Sequence, residues 1–554
     1  MFRRSKRTLA VAVTAGVTAA VLALAGCTPS GDSSGGDRPL RVWAGSATPV
    51  NENFNPFNLD SAVHATFGPI YEPLFFFNQL SSDPPVGLLG ESYEISADGT
   101  VITVKLKPGL KWNDGEALKA SDVTFTMGYG PNKSPELVSA DAPDDTTVVL
   151  TYSKPHFTGL SLTLGSTWIV PEHVWGKITD YMAETNPKPV GSGPYMLKTF
   201  SDAAYTVAAN PNYRDGEPAV KEVQYIGLDS NQSAQDLLAT GKLDWVGQFI
   251  ANPDAVTSKG TISTLNLQQD PTVMIACSSA EQGCTGAQTD PAVRQAINVA
   301  INRSSIREKA FAGLAGEGNP AFLLLPRDKG WLGDEANGAS PQDPNAAEAG
   351  KILEAAGYVK GSDGFYGKDG KAIDLDLFSP DGWTDYNDAV KLIAEEAGAA
   401  GIKITPRTVS DAEYWTPISS GDFQLAMYGL AASIVADPYS TYSEYFAGTS
   451  TAKVGADPVS GQNYSRYANP TVDAAVVAAG ATNDEATKKA AYATIQTEIA
   501  RDLPYIPVVL NASQSFFNTK DFSGWPSADN LYAVPLPYTS VASAIVLTHL
   551  KPVK

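Results

Sequence analysis

The side chains that most often carry out catalysis are scattered along this 554-residue sequence. Its four histidines stand far apart from one another: His64, His156, His173 and His549. No H-E-x-x-H pattern places two of them on one helix face for a metal ion. No G-x-x-x-x-G-K-(S/T) string is present, so the phosphate-binding loop of a nucleotide hydrolase is missing. These patterns argue against both chemistries, and we expect no metal site and no cofactor.

A serine nucleophile and a pair of carboxylates are the other catalytic arrangements that such a chain could supply. Gly31-Asp32-Ser33-Ser34-Gly35 matches G-x-S-x-G, but it lies in a run of small polar residues. A nucleophile elbow needs a strand before the serine and a helix after it. The 60 acidic residues offer many carboxylate pairs for a glycosidase, and this abundance selects none of them. We expect no enzyme; a secreted hydrolase is the alternative from another class.

Binding of an extended oligomer requires backbone hydrogen-bonding groups along a strand and flat aromatic rings beside it. The run Asp422–Leu430, DFQLAMYGL, has the composition of such a strand. The chain also contains nine tryptophans that could stack on a ligand, with core packing as the alternative role for each. The candidate ligand contacts in these two groups are Trp245, Trp383, Trp415, Tyr428, Gly429 and Leu430.

The elements that position these residues begin around Lys107–Thr126, where strand, turn and helix signals follow one another. Val101–Leu106 alternates apolar and polar residues, which predicts a half-buried strand. Asn113-Asp114-Gly115 predicts a turn. Ser121 and Asp122 then offer oxygens that can cap the first turn of a helix.

This stretch resembles the W-(S/N)-D-G-x-x-x-x-A-x-D-V-x-F motif of the family 5 extracellular solute-binding proteins, the dipeptide and oligopeptide receptors of bacterial ABC importers. Further strings match that family in order: Ile70–Leu74 (IYEPL), Gly191–Tyr195 (GSGPY), Asn210–Tyr213 (NPNY) and Val293–Ile297 (VRQAI). The resemblance spans most of the chain. It implies a receptor that captures a short oligopeptide or oligosaccharide and delivers it to the permease subunits of an ABC importer.

The resemblance also implies an α/β fold like that of periplasmic binding proteins, with two α/β lobes joined by a two-crossing hinge and an extra inserted lobe. The expected boundaries are 38–75, 191–288 and 506–554 for lobe I, 76–190 for the inserted lobe and 289–505 for lobe II. The crossings are expected near 285–290 and 500–510. Asp290-Pro291 and Asp343-Pro344 predict the starts of two lobe II helices.

The N terminus predicts export from the cell. Basic residues precede the apolar run Leu9–Leu24, which is short for a membrane span. Leu24-Ala25-Gly26-Cys27 resembles a bacterial lipobox. This implies a signal peptide at 1–26, a lipid on Cys27, and a flexible tether at 27–37 that holds a monomer at the outer face of the cell membrane. A plain secretory signal is the alternative.

With Cys27 assigned to lipid, Cys277 and Cys284 are the remaining cysteines. An exported chain meets an oxidising environment, so a disulfide between them is favoured over two free thiols. Two cysteines without a nearby histidine would leave a tetrahedral metal ion half-coordinated. The formal net charge of −20 argues against a nucleic-acid partner.

The class of ligand depends on the stretch around Asp422–Leu430. In oligopeptide receptors the equivalent stretch carries an arginine and an aspartate, and the aspartate takes the amino terminus of the peptide. The alignment places Met427 and Ser433 at those positions, and Asp437 is the nearest carboxylate that could compensate. Without it, a neutral oligomer is expected, since a buried ammonium group needs a partner. The cleft-lining loop of lobe I is expected at Phe57, Leu59 and Ser61.

Overall fold

The structure is a computed structural model that describes residues 38–58, 62–325, 327–333, 340–458 and 461–553. The predicted signal peptide, Cys27, the predicted tether, Leu59 and Ser61 lie outside these ranges. Within the described ranges, no helix has both the length and the apolar character needed to cross a membrane.

The described residues form strands and helices along the whole folded chain. The strands are β1 Leu40–Trp43, β2 Phe75–Phe76, β3 Val86–Gly87, β4 Gly90–Ile95, β5 Val101–Leu106, β6 Leu137–Asp144, β7 Thr147–Tyr152, β8 Tyr195–Ser201, β9 Ala204–Ala209, β10 Glu222–Ile226, β11 Trp245–Val246, β12 Ile262–Ala276, β13 Val359–Lys360, β14 Tyr366–Lys368, β15 Lys371–Ala372, β16 Asp374–Pro380, β17 Lys403–Val409, β18 Leu425–Gly429, β19 Tyr505–Asn518, β20 Phe522–Ser523 and β21 Lys551–Pro552. The helices are α1 Val63–Thr66, α2 Ala120–Met127, α3 Leu160–Gly165, α4 Glu172–Trp175, α5 Asn231–Ala239, α6 Asp254–Thr257, α7 Pro291–Ala300, α8 Arg303–Lys309, α9 Ala346–Ala355, α10 Thr384–Ala399, α11 Asp411–Ser420, α12 Tyr439–Tyr445, α13 Pro470–Gly480, α14 Glu485–Asp502 and α15 Val541–His549.

One large mixed sheet runs through the molecule in the order β17-β16-β18-β12-β19-β11-β1-β10-β9-β8. At its centre, β12 and β19 pair in antiparallel fashion from Ile262 opposite Asn518 to Ile275 opposite Tyr505. The register of this pair is irregular between Gln268 and Asp270 and again between Thr272 and Val273. Parallel pairs flank the centre on both sides, β1 with β10 and β16 with β17. The sheet is of the mixed α/β kind that the resemblance implies.

A separate four-stranded antiparallel sheet, β4-β5-β7-β6, lies between β3 and β8 in the chain. Val101–Leu106 is a strand with the bounds that its alternating pattern predicts. The following helix begins at Ala120, one residue before the predicted cap. Asp122 still accepts a hydrogen bond from the backbone N–H of Lys119 at 2.9 Å, whereas Ser121 lies within the first turn and does not cap it.

The buried apolar side chains form separate cores. One pair of clusters draws on residues 40–76, 170–262 and 516–550, another cluster on 74–169, and a further pair on 273–509. Strand β12 contributes Ile262 to the first group and Met274 to the last, and β19 contributes Phe516 and Val509 in the same way. These two strands therefore carry the chain between the two larger bodies.

Strand β12 joins two of the hydrophobic cores, and it lies earlier in the chain than the crossing expected at 285–290. Strand β12 contains Gln268, Gln269, Asp270 and Pro271 in its middle, and such residues weaken the sequence signal of a strand. By Met274 the chain is already in the core of the second body. Cys277 directly follows β12. It forms a disulfide with Cys284, and the two Cα atoms lie 5.5 Å apart.

Two helix starts in the second body show how well caps can be read from sequence. Asp290 accepts a hydrogen bond from the Ala292 N–H at 2.9 Å, with Pro291 as the first residue of α7, as predicted. The helix predicted from Asp343-Pro344 begins later, at Ala346. Its cap is Asn345, whose side-chain oxygen accepts from the Glu348 N–H at 3.0 Å.

Candidate ligand-binding cleft

Two adjoining cavities form a cleft between the two larger bodies. The narrow cavity encloses about 400 Å³ and the wide cavity about 720 Å³. Asp270, Ser513 and Tyr538 line both of them, so the two cavities belong to one cleft. Each volume lies in the range of cavities that hold small organic ligands.

The narrow cavity lies between residues 76–79 on one side and the chain that follows β18 on the other. Gly429, the last residue of β18, pairs with Thr272 of β12, and the Leu430 N–H donates to the Pro271 carbonyl at 3.0 Å. Leu430, Ala431, Ala432 and Ile434 then line the cavity. The strand predicted at Asp422–Leu430 is therefore present, and its end lies at the cleft.

Gly429 lies where neighbouring side chains approach the backbone closely. A Cβ atom added there would lie 3.0 Å from Asp270 Oδ1 and 3.2 Å from Tyr386 Oη. Tyr386 Oη in turn lies 3.2 Å from Thr272 Oγ1. The absence of a side chain at Gly429 thus lets the end of β18 lie directly against the acidic centre of the cleft.

Carboxyl groups dominate the charge of the wide cavity. It is lined by Asp229, Asp270, Asp381, Asp385 and Asp411. Among the described residues, no lysine or arginine lines either cavity. The cleft therefore presents negative charge to whatever enters it.

Asp270 and Asp385 are the most deeply placed of these carboxyl groups. Burial raises the pKa of Asp270 to about 7, and the charge of Asp385 adds to this shift. Burial also raises the pKa of Asp385 to about 6, although Asn511 Nδ2 donates a hydrogen bond to it at 3.3 Å. No residue in the described ranges donates a hydrogen bond to the Asp270 carboxyl group or forms an ion pair with it.

Two glutamine amides in the wide cavity also have unused hydrogen-bonding capacity. Gln514 is only 3% exposed, and its Oε1 accepts from the Ile250 N–H at 2.8 Å. This bond fixes the orientation of the amide, and Gln514 Nε2 has no partner within the described ranges. The same holds for Gln248 Oε1. Both atoms are buried, and buried polar atoms are rarely left unsatisfied in folded proteins.

Residues 84–453 of the chain match the family described as bacterial extracellular solute-binding proteins, family 5. The match covers well over half of the sequence. The chain belongs to this family.

Comparison of this family 5 protein with individual relatives agrees with the family assignment. It is 31% identical over 435 residues to protein XP55 of Streptomyces lividans, covering 74% of this chain and 73% of the relative. It is 26% identical over 444 residues to the oligopeptide-binding protein AppA of Bacillus subtilis, covering 75% and 76%. The structure of a mannohexaose-bound periplasmic oligopeptide-binding protein of an ABC transporter from Thermotoga maritima superposes with a TM-score of 0.82 at 26% identity, covering 93% of this chain and 98% of that one.

These findings confirm the family and the fold class that the sequence motifs imply. The family 5 protein is a substrate-binding component of the ABC transporter type, and proteins of this kind are transporter components and not enzymes.

Trp383 and Trp415 are the two predicted aromatic contacts that are open to solvent, with 45% and 41% of their surface exposed. Trp383 lines the wide cavity, and its ring meets the Tyr386 ring edge-on at 5.3 Å. The Trp415 ring lies edge-on to the rings of Tyr414 and Tyr428, and Trp415 is not among the residues lining the two cavities. Trp383 is thus the better placed of the two.

Three other aromatic candidates lie in packed regions. Trp245 is fully buried, and its Nε1 donates to the Pro535 carbonyl at 2.9 Å. Phe57 packs edge-on against Trp175 at 4.9 Å. Tyr428 is 4% exposed, and its hydroxyl donates to Gln462 Oε1 at 3.2 Å. The position of each ring favours packing over ligand contact. We therefore do not include these three residues in the proposed binding surface.

Ser433 and Asp437 both have protein partners. Arg327 Nη1 donates to the Ser433 carbonyl at 2.8 Å, and Ser433 Oγ accepts from the Val435 N–H at 3.3 Å. Asp437 forms an ion pair with Lys488 and accepts from the Tyr492 hydroxyl at 2.5 Å. Its carboxylate is therefore already neutralised, and it lines neither cavity.

Asp270, Asp385 and Gln514 were not predicted from the sequence. Asp270 lies on β12, Asp385 on α10 and Gln514 on β19, so only the folded chain brings them to one cavity. One local signal was present. Asp270-Pro271 lies within β12 shortly before its apolar end Val273–Ala276, and a charge in such a place can mark a functional position.

Proposed function

We propose that this protein captures a short oligopeptide or peptide-like solute outside the cell and delivers it to the permease subunits of an ABC importer. The observation that carries the proposal is the cleft between the two bodies, where the chain that follows β18 lines a cavity of about 400 Å³. A strand end at a cleft suits a ligand that is itself a chain of amides. The AppA relative, by its name, binds oligopeptides.

The place of action follows from the N terminus. We propose that residues 1–26 are removed, that Cys27 carries the lipid, and that 27–37 tether a monomer to the outer face of the cell membrane. Family membership supports an extracytoplasmic position. A tether of small polar residues would let the binding body reach a permease in the same membrane.

The domain arrangement is part of the same proposal. Lobe I, the inserted lobe and lobe II retain the expected boundaries, except that the first crossing is moved into β12. Five separate hydrophobic cores and two long crossing strands support this division. Closure of the two lobes over a ligand would then require changes only where the β12–β19 register is irregular.

A neutral β-linked or other oligosaccharide is the second candidate ligand. The neighbour from Thermotoga maritima holds mannohexaose. The exposed ring of Trp383 could stack on the apolar face of a sugar. Against this, the five carboxyl groups of the wide cavity offer a neutral sugar only hydrogen-bond acceptors.

Two measurements test the function. Mass spectrometry of ligand co-purified with the protein should identify a peptide-like solute, and calorimetry with tri- to pentapeptides and with manno-, cello- and xylo-oligosaccharides should rank the two classes. Binding of sugars alone would overturn the peptide proposal. Bound oligomers should be recovered intact after long incubation; cleavage products would favour the hydrolase alternative.

A further inference from the structure

One end of lobe I brings together five segments of the chain that are rich in basic residues. They are 38–41, 238–244, 258–263, 517–524 and 549–553. At the end of β19, the Asn518 N–H donates to the Asp244 carbonyl at 2.8 Å, and the Thr519 N–H donates to the Thr261 carbonyl at 3.0 Å. Strand β21 pairs with β20 and so adds the last segment. We call this end of lobe I the basal face.

Arg38 attaches the start of the folded chain to the basal face. Its guanidinium group donates two hydrogen bonds to Asp244, at 2.6 and 2.9 Å, and one to Asp521 at 2.6 Å. It also lies over the Phe522 ring, 5.0 Å from the ring centroid. Arg41 forms a further ion pair with Asp244 at 3.0 Å. The two arginines therefore balance the two aspartates, and the predicted tether joins the body at this face.

Four lysines of the basal face have no carboxylate partner. Lys242, Lys259, Lys520 and Lys551 are all exposed, and none of them forms an ion pair within the described ranges. Lys259 Nζ donates to the Ala239 carbonyl at 3.2 Å. The five segments contain no acidic residue besides the two aspartates that the arginines hold. The face therefore has four uncompensated positive charges, in a chain whose formal net charge is −20.

The cleft lies at the opposite end of the same strands. Strand β12 runs from Ile262 at the basal face to Asp270, which lines both cavities, and β19 runs back from Asn511 in the wide cavity to Asn518. At about 3.3 Å per residue, the cleft lies about 25 Å from the basal face. Charges farther apart than about 10 Å are largely screened at 0.1 M salt. The carboxyl groups of the cleft therefore do not cancel the field of the basal lysines.

We propose that the basal face binds the anionic phospholipid headgroups of the membrane to which the protein is tethered. Each lysine near an anionic bilayer strengthens attachment about fivefold, so four unpaired lysines suit such a surface. The tether ends at this same face. A lipid on Cys27 would hold the lysines within the r.m.s. length of the tether, roughly 17–20 Å for residues 27–37.

This contact goes beyond the proposed function, because it uses the proposed anchor and is independent of the ligand. With the basal face on the membrane, the cleft lies at the far end of lobe I and is turned towards the medium. The receptor then rests in the orientation that suits capture. Delivery to a permease in the same membrane requires these electrostatic contacts to be released.

The test uses the mature chain from residue 27 onward with Cys27→Ser, so that no acyl chain contributes to binding. Sedimentation with vesicles measures binding at low and at high salt. One set of vesicles is phosphatidylcholine alone, and in the other about one third of the lipid is phosphatidylglycerol. Soluble polyphosphate serves as an anionic probe that is not a membrane.

Two variants with the same net charge separate the basal face from the rest of the surface. The basal variant combines Lys242→Gln, Lys259→Gln, Lys520→Gln and Lys551→Gln. The control variant changes exposed lysines of the expected inserted lobe that also form no ion pair within the described ranges. It combines Lys111→Gln, Lys133→Gln, Lys177→Gln and Lys188→Gln.

We expect the Cys27→Ser chain to bind phosphatidylglycerol vesicles at least tenfold more strongly than phosphatidylcholine vesicles at low salt, and to lose this preference at high salt. The basal variant should lose the preference, whereas the control variant should keep it within about twofold. Thermal melting should show both variants folded. Both should bind the co-purified ligand with unchanged affinity in calorimetry, since the basal lysines lie about 25 Å from the cleft.

Equal binding to the two kinds of vesicle would overturn the membrane contact and leave the proposed function intact. An equal loss of binding in the basal and control variants would show that net charge attracts the lipid, and this would refute the basal face as the contact. Binding of polyphosphate without binding of vesicles would overturn the lipid contact in favour of another anionic polymer. A failure of the proposed anchor would appear separately, in the fractionation of cells, because the vesicle assay contains no acylated protein.

Discussion

Asp270 should make the ligand-free protein less stable at neutral pH than at acidic pH. Burial and the charge of Asp385 raise its pKa from 3.8 to about 7, and no lysine or arginine faces it from β12, α10, α11 or the segment of Tyr538 among the described residues. Between about pH 4 and 7 the folded state then holds more protons than the unfolded state. The free energy of unfolding contributed by this group therefore falls as the pH rises through that window.

The prediction is that Asp270→Asn raises the free energy of unfolding by roughly 1–3 kcal/mol at pH 8 and changes it little at pH 4. Denaturant unfolding at both pH values, without ligand, measures the difference. Asp388→Asn is the matched control, because its carboxyl group is exposed and pairs with Lys391 at 2.9 Å. A loss of stability in Asp270→Asn at pH 8 would contradict the burial of an unpaired charge.

Trp383 and Trp245 should have different roles, Trp383 as a ligand contact and Trp245 as a core residue. Trp383→Ala should weaken binding of the co-purified ligand by on the order of 2 kcal/mol with little change in melting temperature, because its ring lines the wide cavity and is 45% exposed. Trp245→Ala should instead destabilise the fold by about 3–5 kcal/mol, since it opens a cavity in a packed core. Calorimetry and thermal melting separate the two effects. Unchanged affinity in Trp383→Ala would remove this ring from the site.

At the scale of elements, local signals were predictable and long-range contacts were not. Val101–Leu106 and the capped start of α7 depend on neighbouring residues, and both were read correctly. Strand β12 has polar residues at its centre, where it borders the cleft. Its sequence pattern therefore does not indicate a strand. The proximity of Asp270 to α10 arises from the pairing of β12 with β18 and of β18 with β16, which no local pattern encodes.

The contact between β18 and the cleft gives the prediction at this scale. Gly429→Ala should weaken ligand binding, because its Cβ would come within 3.0 Å of Asp270 Oδ1 and displace that carboxylate. Calorimetry on the folded variant is the measurement. Gly398→Ala in α10 is the control, since open space surrounds that position and alanine favours helix. Equal affinities for wild type and Gly429→Ala would show that the carboxylate can shift without cost.

At the scale of the whole molecule, the lipid anchor is predicted from the sequence alone, because Cys27 lies outside the described residues. Cys27→Ser should release the protein from the membrane fraction into the soluble fraction or the medium. Each buried CH₂ of a lipid contributes about 0.8 kcal/mol to membrane attachment, and the variant would carry no lipid at all. Immunoblots of fractionated cells measure the distribution. A variant that stays in the membrane fraction would contradict lipidation at this residue.

Arg327 connects the two sides of the cleft, and this contact should bias the molecule towards a closed form. Its Nη1 donates to the Gln79 carbonyl at 2.6 Å and to the Ser433 carbonyl at 2.8 Å, while Asp328 holds the guanidinium group from the side at 2.6 Å. Gln79 belongs to the expected inserted lobe and Ser433 to the expected lobe II, so the Arg327 guanidinium group bridges these two segments. Hydrogen bonds from a charged donor each contribute about 1.5–3 kcal/mol.

We therefore predict that Arg327→Ala increases the radius of gyration of the ligand-free protein in small-angle X-ray scattering and weakens ligand binding about tenfold, because closure would have to be driven by the ligand alone. Saturating ligand should restore the compact scattering curve. Arg407→Ala is the control, because its guanidinium group is half-exposed and pairs with Asp376 at 3.4 Å, and Arg407 lies on β17 at the edge of the large sheet. Scattering curves that coincide for Arg327→Ala and wild type, both with and without ligand, would show that this arginine does not hold the lobes together.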